Sequence, residues 1–264
     1  VNDAPALKRA DIGAAMGITG TEVAKEASDM VLMDDNFATI VNAVQEGRTI
    51  YSNIRKSIQY LLSCNTGEIV AIFSAIILGL GSPLTPIQIL WLNLITDGPP
   101  ALALGLEPAE KGVMNRPPRN TREGVFAGGV GVSILYQGAI IGLVSLAAYW
   151  LALSWGRSVE EAHTMAFLTM ALSQLIHSFN ARSFNVSLFR LGIGTNRTLV
   201  YAFFLSIVLQ LGIVFVPFFR GIFETALLQL GDWAVVLGLS LIPLVVVEIS
   251  KAIKGNRNLL GTEA

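Results

Sequence analysis

Oxygen-bearing side chains interrupt the apolar segment 87–102 and give this sequence its clearest indication of chemistry. Asn93, Thr96 and Asp97 lie within the segment, and a Gly-Pro-Pro break follows at 98–100. Placing a carboxylate in the middle of an apolar membrane span costs roughly 3 kcal/mol or more, so such a residue indicates a function. The spacing i, i+3 and i+4 predicts that the three side chains share one helical face. Because prolines remove backbone donors, nearby carbonyl oxygens lose helical partners, and the converging oxygens predict a site for a hard cation.

A second polar group lies in the apolar run that precedes this segment. Asn65 and Glu68 are separated as i and i+3 and therefore share a helical face. Ser63 or Asn65 alone is more typical of polar contacts between membrane helices. Glu68 is ionisable, which at that depth indicates a functional site. Together with Asp97 it supplies up to two negative charges, enough for one divalent cation or two protons. A carboxylate pair that shares a proton is thus the alternative to a metal site.

Polar residues also mark two later apolar runs. Gln174, His177 and Asn180 recur at every third position and predict a polar stripe that faces inwards. Gln174 offers a neutral oxygen to the same cation, whereas a hydrogen-bonded structural histidine is the more typical interpretation of His177. Glu248 comes just before Lys251, which predicts an ion pair rather than a ligand.

Asn2 and Asp3 stand before a short predicted helix at the start of the chain. An acidic residue that follows a strand in an α/β sheet is a common place for phosphate and magnesium chemistry. A helix cap at Asp3 is the simpler interpretation of the same residue.

The composition is that of a polytopic membrane protein. Of 264 residues, 53% are hydrophobic and only 14% are charged, and the net charge of −1 gives no indication of a nucleic-acid partner. The single cysteine, Cys64, excludes an internal disulfide and a cysteine-rich zinc site. The first 45 residues lack the pattern of a secretory signal, and because the chain begins with Val1 we expect a fragment of a longer protein.

Residues 1–47 have the pattern of an α/β segment. Short β-like runs alternate with helical patterns, with predicted strands at 12–16 and 30–33 and predicted helices at 4–9, 21–27 and 37–47. A complete parallel-sheet domain needs more strand–helix units, so we expect only the last part of one.

Residues 48–264 contain six apolar runs, each long enough to cross a core of ~30 Å as a helix. They lie at 58–80, 86–104, 126–153, 163–179, 199–218 and 233–249, and the first helix is expected to begin near Asn53. Basic residues concentrate in alternate connections, namely Lys111, Arg116, Arg119, Arg122, Arg182, Arg190 and Arg197, and again after the last run at Lys251, Lys254 and Arg257. The positive-inside rule therefore predicts a mainly α fold, a six-helix transmembrane bundle with both termini in the cytoplasm.

Two stretches resemble those of a known family. VNDAPALKRADIGAAMG resembles the end of the hinge motif of P-type ATPases, and ILWLNLITDGPPALALGLEP with the later MNRPPR resembles the sixth membrane helix and following loop of calcium-type pumps. The resemblance covers nearly the whole chain. It implies that the six spans correspond to pump helices five to ten, and that residues 1–47 are the C-terminal remnant of the haloacid-dehalogenase-like phosphorylation domain.

The resemblance also implies roles for individual residues. Asn2 and Asp3 match hinge residues that support magnesium and the aspartyl-phosphate. Gln174 stands where sarco/endoplasmic-reticulum pumps have glutamate and plasma-membrane calcium pumps have glutamine, which removes one charge from one of two sites. The remaining implied calcium ligands are Asn65, Glu68, Asn93, Thr96 and Asp97.

The implied function is that of the membrane half of an ATP-driven calcium pump, with Ca²⁺ transported and protons returned across the lipid bilayer. Mg²⁺ and ATP would bind the upstream half of the same protein, because the Asp-Lys-Thr-Gly-Thr phosphorylation motif is absent here, and this chain alone is expected to be inactive. The Gly-Pro-Pro form and the short termini indicate a bacterial plasma membrane. The alternatives are a pump for manganese or a monovalent cation, since oxygen ligands suit several ions, and a proton-coupled secondary transporter, although no internal repeat is visible.

Overall fold

The computed structural model describes residues 2–120 and 123–260, so Val1 and the predicted loop residue Arg122 lie outside the described residues. The chain divides into two compact units. The first comprises Val1–Tyr51 and Ala109–Pro118, and the second comprises Ser52–Pro108 and Arg119–Ala264.

The first unit contains a small parallel sheet. Helix α1 (Ala4–Arg9) precedes strand β1 (Ala14–Met16), and helix α2 (Glu22–Ala27) connects it to strand β2 (Met30–Leu32). The strands pair in parallel with Ala14 opposite Met30. The two predicted strands and the two predicted helices that flank them are confirmed. The assignment of this unit to a phosphorylation domain stays a prediction.

Aspartates fix the loops of this sheet. Asp35 has a φ of 50°, and its carboxylate accepts hydrogen bonds from the backbone N–H groups of Ile18 and Thr19, both at 2.8 Å. These bonds lower the pKa of Asp35 below its usual value. Asp34 accepts from the hydroxyl of Thr39 at 2.6 Å and so fixes the chain just before the next helix.

Helix α3 (Ala38–Ile77) has 40 residues and includes residues of both units. The predicted helix at 37–47 and the first predicted span form this one helix, so the predicted start near Asn53 is wrong. The reason is that only Gly47 interrupts the helical pattern between them. An isolated glycine costs about 1 kcal/mol relative to alanine, which is too little to end a long helix.

The second predicted span is present as three segments. Helix α4 (Pro86–Trp91) is followed by a π-helical turn (Leu92–Thr96) and by helix α5 (Gly98–Gly105). The N–H of Asp97 donates to the carbonyl of Leu92 at 2.9 Å, which is the wide i to i+5 bond of a π turn. The two prolines lie in the first turn of α5, where a missing N–H is tolerated. The backbone hydrogen bonds of the helix therefore shift by one residue at Asp97 and then continue into α5.

The remaining helices complete the second unit. They are α6 (Val130–Ser154), α7 (Val159–Asn180), α8 (Leu188–Leu191), α9 (Arg197–Phe215), α10 (Pro217–Phe223) and α11 (Leu230–Leu260), with single 3-10 turns at Val113–Asn115 in the first unit and Ile193–Thr195 in the second. Helix α7 packs against α6 and α11, and Ile141, Leu168 and Val236 from these three helices belong to one buried apolar cluster. Ser158 starts α7 with a capping box, since its hydroxyl accepts from the N–H of Glu161 and its own N–H donates to that carboxylate.

Within the described residues, four helices are long and apolar enough to cross a membrane, namely α3, α6, α9 and the Leu230–Ile253 part of α11. They coincide with four of the six predicted spans. The other two predicted spans are the segment broken at the π turn and α7, a helix of 22 residues that is buried along most of its length. The count of six crossings stays a prediction.

Close backbone contact sets the distance between α3 and α6. A Cβ added to Gly138 would lie 2.6 Å from the carbonyl oxygen of Ser63, and one added to Gly142 would lie 2.5 Å from that of Gly67. Small residues at such positions let two membrane helices approach closely. This contact lies directly beside Glu68 on α3 and fixes the backbone from which that carboxylate extends.

Candidate cation site

Glu68 is the point at which three segments meet. Its side chain is buried in the C-terminal part of α3, with 5% of the residue exposed. Oε2 accepts a hydrogen bond from Nδ2 of Asn93 at 3.0 Å, and Oε1 accepts one from Nε2 of Gln174 at 3.3 Å. The structure thus brings together three of the residues predicted from the sequence, one each from α3, the π turn and α7.

Asp97 lies at the junction of the π turn and α5 and is only 1% exposed. Its Oδ1 accepts a hydrogen bond from the hydroxyl of Tyr60 at 3.3 Å. Its Oδ2 is buried and has no hydrogen-bond partner among the described residues, and the same holds for Oε1 of Gln174. A buried acceptor without a partner loses its hydration without compensation. Unpartnered carboxylate and amide oxygens are the groups that a hard cation binds.

The oxygens of Asn65 and Thr96 are arranged differently. Nδ2 of Asn65 donates to the carbonyl of Leu61 at 2.9 Å, and the hydroxyl of Thr96 donates to the carbonyl of Leu92 at 2.7 Å. Both side chains therefore satisfy their donor groups within their own helical segment. Each keeps an oxygen that can still accept or coordinate, so the predicted ligand roles of these two residues stay predictions.

The prediction that Asn93, Thr96 and Asp97 share one face is only partly realised. Thr96 and Asp97 are buried, whereas Asn93 is exposed over much of its surface although it reaches Glu68. The spacing argument assumed 3.6 residues per turn, and the π turn widens the helix at this point.

Carbonyl oxygens of the π turn are held by side chains of neighbouring helices. The hydroxyl of Ser206 on α9 donates to the carbonyl of Ile95 at 3.1 Å, and the hydroxyl of Tyr60 on α3 lies 3.3 Å from the carbonyl of Thr96. The sequence argument predicted that such carbonyls lack helical partners, which agrees with these side-chain contacts, but it identified neither residue. A tyrosine hydroxyl inside an apolar span needs a hydrogen-bond partner, and this requirement is the feature of the sequence that could have identified Tyr60.

Three other predicted polar residues lie outside the group around Glu68, namely His177 on α7 and the pair Glu248 and Lys251 on α11. His177 is fully buried, and both of its ring nitrogens lack a hydrogen-bond partner within ranges 2–120 and 123–260, so its interpretation as a hydrogen-bonded structural histidine is wrong. Its ring instead stacks on that of Tyr60, with 6.2 Å between the centroids. The predicted ion pair between Glu248 and Lys251 is confirmed at 3.1 Å, and Lys251 also donates to the carbonyl of Asn180 at 2.8 Å.

Asn2 and Asp3 are exposed residues of the first unit. Asp3 occupies the N-cap position of α1, and its carbonyl accepts from the N–H of Leu7 at 2.9 Å. Its side chain makes no capping hydrogen bond in the part of the chain that the structure describes, so Asp3 has the predicted cap position without a side-chain cap. The predicted role of Asn2 and Asp3 beside magnesium and phosphate stays a prediction.

The site differs in its chemistry from sites built on clustered acids or histidines. Among the described residues, no three His, Cys, Asp or Glu side chains converge. The group around Glu68 consists instead of two carboxylates with amide, hydroxyl and carbonyl oxygens. This set of oxygens is suited to a cation such as calcium, manganese or magnesium rather than to a soft metal.

Comparison with known families identifies the chain. The family model described as "Cation transporting ATPase, C-terminus" matches residues 81–253, which include Asn93, Asp97 and Gln174. This chain belongs to the cation-transporting P-type ATPase family. Within this family it corresponds to the C-terminal portion.

The names of several relatives of this P-type ATPase chain refer to calcium. It is 49% identical to "Calcium-transporting ATPase 1" of Bacillus cereus, over 97% of this chain and 30% of that protein. It is 50% identical to "Calcium-transporting ATPase" of Bacillus subtilis, over 92% of this chain and 27% of that protein. It is 38% identical to human "Calcium-transporting ATPase type 2C member 1", over 97% of this chain and 28% of that protein. The chain thus spans about 30% of the length of these relatives.

Proposed function

We propose that this chain is the membrane part of an ATP-driven calcium pump, and that Glu68, Asp97 and Gln174 form the centre of its transport site. The observation that carries this proposal is the buried carboxylate of Glu68, which accepts hydrogen bonds from amides of two other segments. In the broken segment, Oδ2 of Asp97 has no hydrogen-bond partner among the described residues. Two carboxylates would balance the charge of one divalent cation. The names of the related proteins support calcium as that cation.

Binding of a cation at Glu68 requires a change in its amide partners. Asn93 and Gln174 at present direct their N–H groups at the carboxylate oxygens. A cation on Glu68 would repel these N–H groups and attract the amide oxygens. Rotation of each terminal amide by about 180° exchanges its nitrogen for its oxygen without movement of the backbone. Asn65 and Thr96 would add their remaining oxygens.

We expect six crossings, of which α7 and the segment broken at the π turn are the two less apolar ones. Six crossings would place both termini in the cytoplasm. The membrane would be a bacterial plasma membrane. Both of these less apolar crossings would then carry cation ligands, in addition to Asn65 and Glu68 on α3. A polar helix buried among protein neighbours is tolerated in a membrane because its polar groups need not contact lipid.

ATP hydrolysis would belong to the longer protein of which this chain would form a part. Asn2 and Asp3 would support Mg²⁺ and an aspartyl-phosphate formed on an upstream half, and this chain alone would not hydrolyse ATP. After release of the cation, protons would return on Glu68 and Asp97, because two bare buried charges are costly. An ion other than calcium would keep the same pump, since manganese also binds hard oxygens.

The test is formation of a phosphoenzyme from ATP by the full-length protein, with calcium, manganese, magnesium and sodium supplied separately. We expect activation by micromolar calcium and its loss in Asp97→Asn. Activation by manganese or sodium in place of calcium would retain the pump and change its substrate. Absence of a phosphoenzyme with every cation would favour a secondary transporter and overturn the proposal.

A further inference from the structure

A buried ion pair lies in the second unit. It joins two segments, each of which comes after a part of the chain that bears a candidate ligand. Arg182 has 0% of its side chain exposed and Glu107 has 5%. We refer to these two residues, with Asn53 and Asn196, as the Arg182 junction. None of the four lies in the group around Glu68.

The polar atoms of the ion pair are fully engaged. Nε of Arg182 lies 3.0 Å from each carboxylate oxygen of Glu107, and Nη2 lies 2.8 Å from Oε1. Nη1 donates to the carbonyl of Gly192 at 2.8 Å, and Nη2 also donates to the hydroxyl of Thr195. Nδ2 of Asn196 completes the carboxylate shell with a hydrogen bond of 2.8 Å to Oε2. A fully satisfied network of this kind is rigid and directional.

The junction also holds backbone atoms of four segments. Nδ2 of Asn53 donates to the carbonyl of Glu107 at 2.7 Å, and Nδ2 of Asn196 donates to the carbonyl of Ala103 at 2.9 Å. Oδ1 of Asn196 accepts from the N–H of Leu199 and so starts α9. The side chains thus tie α3, the end of α5, the end of α7 and the start of α9 to one point.

Three of these segments carry the candidate ligands. Asn53 lies on α3, which also bears Glu68. Glu107 follows the end of α5, whose first turn begins directly after Asp97. Arg182 follows the end of α7, which bears Gln174. The junction therefore fixes one point on or beside each of the three segments that bear Glu68, Asp97 and Gln174.

Helix α9 carries no candidate ligand, yet it holds the broken segment on both sides of Asp97. Asn196 at its start binds the carbonyl of Ala103 in α5, and Ser206 further along binds the carbonyl of Ile95 in the π turn. A displacement of the α9 start at the junction would therefore be transmitted to the backbone around Asp97.

Stability alone accounts poorly for such an ion pair. Removing two charges from water is costly, and well-packed apolar side chains at the same positions are often equally or more stabilising. A planar guanidinium bound in bidentate fashion supplies something that apolar side chains lack, because it fixes the direction and rotation of its partner.

We propose that Arg182 and Glu107 are positioning residues for the transport site, whose ion pair sets the register and rotation of the three segments so that Glu68, Asp97 and Gln174 meet. This inference rests on the proposed function. It assigns these two residues an effect on cation affinity without contact with the cation.

The test compares Arg182→Lys with Arg157→Lys in the full-length protein. Arg157 is a matched control because it makes a similar ion pair of 2.9 Å with the fully buried Asp232, and this pair joins the α6–α7 connection to the start of α11. Lysine keeps the charge in both variants and loses the planar fork. The readout is the calcium concentration for half-maximal phosphoenzyme formation from ATP, measured on the monodisperse fraction.

We expect Arg182→Lys to raise the half-maximal calcium concentration by about tenfold, within the range that residues remote from a ligand produce. Phosphorylation by inorganic phosphate without calcium should be unchanged. Arg157→Lys should shift the half-maximal calcium concentration by less than about twofold, because sites that share no partners couple only weakly. A merely structural role would lower the yield of folded protein without moving the half-maximal concentration.

Glu107→Gln provides a second variant, since it keeps the shape and removes the charge. A half-maximal concentration within about twofold of wild type for both Arg182→Lys and Glu107→Gln would overturn the inference. So would loss of both variants from the monodisperse fraction while Arg157→Lys is recovered, because the pair would then serve folding. Failure of the wild-type protein to respond to calcium would instead count against the proposed function, and the two failures are thereby distinguished.

Discussion

The hydroxyl of Tyr60 lies 3.3 Å from Oδ1 of Asp97 and equally 3.3 Å from the carbonyl oxygen of Thr96. One group on α3 therefore contacts both the carboxylate and the backbone at the end of the π turn. The opposite oxygen of Asp97 stays without a partner in the described part of the chain. This arrangement orients the carboxylate while leaving one of its oxygens able to bind a cation.

Tyr60→Phe should weaken calcium binding without abolishing it. The substitution keeps the ring that stacks on His177 and removes only the hydroxyl. Loss of a hydrogen bond to a charged group costs about 1.5–3 kcal/mol, so we expect the half-maximal calcium concentration to rise by roughly tenfold. Calcium-dependent phosphoenzyme formation in the full-length protein is the measurement. An unchanged calcium dependence would show that the hydroxyl does not orient Asp97.

Asp97→Asn and Gln174→Ala should differ in severity. Asp97→Asn removes one of two charges from the site, and its amide takes the place of a carboxylate whose Oδ2 has no partner among the described residues. Calcium-dependent phosphorylation of the full-length protein should therefore be lost. Gln174→Ala removes a neutral oxygen and leaves both carboxylates, so phosphorylation should require more calcium but persist. Phosphorylation by inorganic phosphate without calcium serves as the control for folding. Equal loss in both variants would contradict this ranking of the two ligands.

The sequence was sufficient to locate Glu68, Asn93 and Gln174 because each is a polar residue in an apolar run, where burial without a partner is costly. Their meeting in one cluster follows from that physical constraint. The strands of the first unit were predictable for a similar reason, since short apolar runs are bounded by turn residues. The contacts of Glu68 with Asn93 and Gln174 therefore followed from local chemistry, whereas the ligand roles of these residues stay predictions.

Other features depend on tertiary contacts that local patterns do not reveal. The π turn forms where a backbone hydrogen bond spans five residues instead of four. Hydroxyl groups of Tyr60 and Ser206, from other helices, contact its carbonyl oxygens. Arg182 was interpreted only as a basic loop residue, whereas its partner Glu107 lies 75 positions away in the chain. The prediction that a helix begins near Asn53 follows the start of the apolar run, whereas α3 extends well before that run.

Asp35→Asn should affect the first unit in a pH-dependent way. Hydrogen bonds from Ile18 and Thr19 lower the pKa of Asp35 from its ordinary value of 3.8. The charged form therefore contributes stability above the ordinary pKa, and this contribution is lost as the pH falls through the lower folded-state pKa. Asparagine tolerates the positive φ of this position. It removes the charge and replaces one of the two accepting oxygens with an NH2 group, so one of the two backbone amides loses its acceptor.

Amide hydrogen exchange at Ile18 and Thr19 in the complete chain, compared between wild type and Asp35→Asn, measures this effect. We expect faster exchange in the variant at neutral pH, after correction for intrinsic rates. The difference should persist down to the ordinary aspartate pKa and shrink at lower pH. Asp29, which accepts from the N–H of Gly13 at 2.9 Å, offers a comparison amide that the substitution should not change. A difference that does not depend on pH would contradict the electrostatic explanation.

Gly138→Ala should destabilise the second unit and weaken calcium binding together. The added methyl group would lie 2.6 Å from the carbonyl oxygen of Ser63 and from Cβ of Thr66, so α3 and α6 must separate. Overpacking of this kind costs about 1–3 kcal/mol. Because the contact lies beside Glu68, the same displacement should raise the half-maximal calcium concentration.

Gly212→Ala on α9 is the matched control for this prediction. A Cβ at Gly212 meets no described atom within 4 Å, and alanine is favoured over glycine in a helix by about 0.5–1 kcal/mol. The midpoint of thermal unfolding in detergent should therefore fall for Gly138→Ala and stay constant or rise for Gly212→Ala. If Gly138→Ala unfolds at the wild-type temperature and binds calcium normally, the contact between α3 and α6 does not fix the position of Glu68.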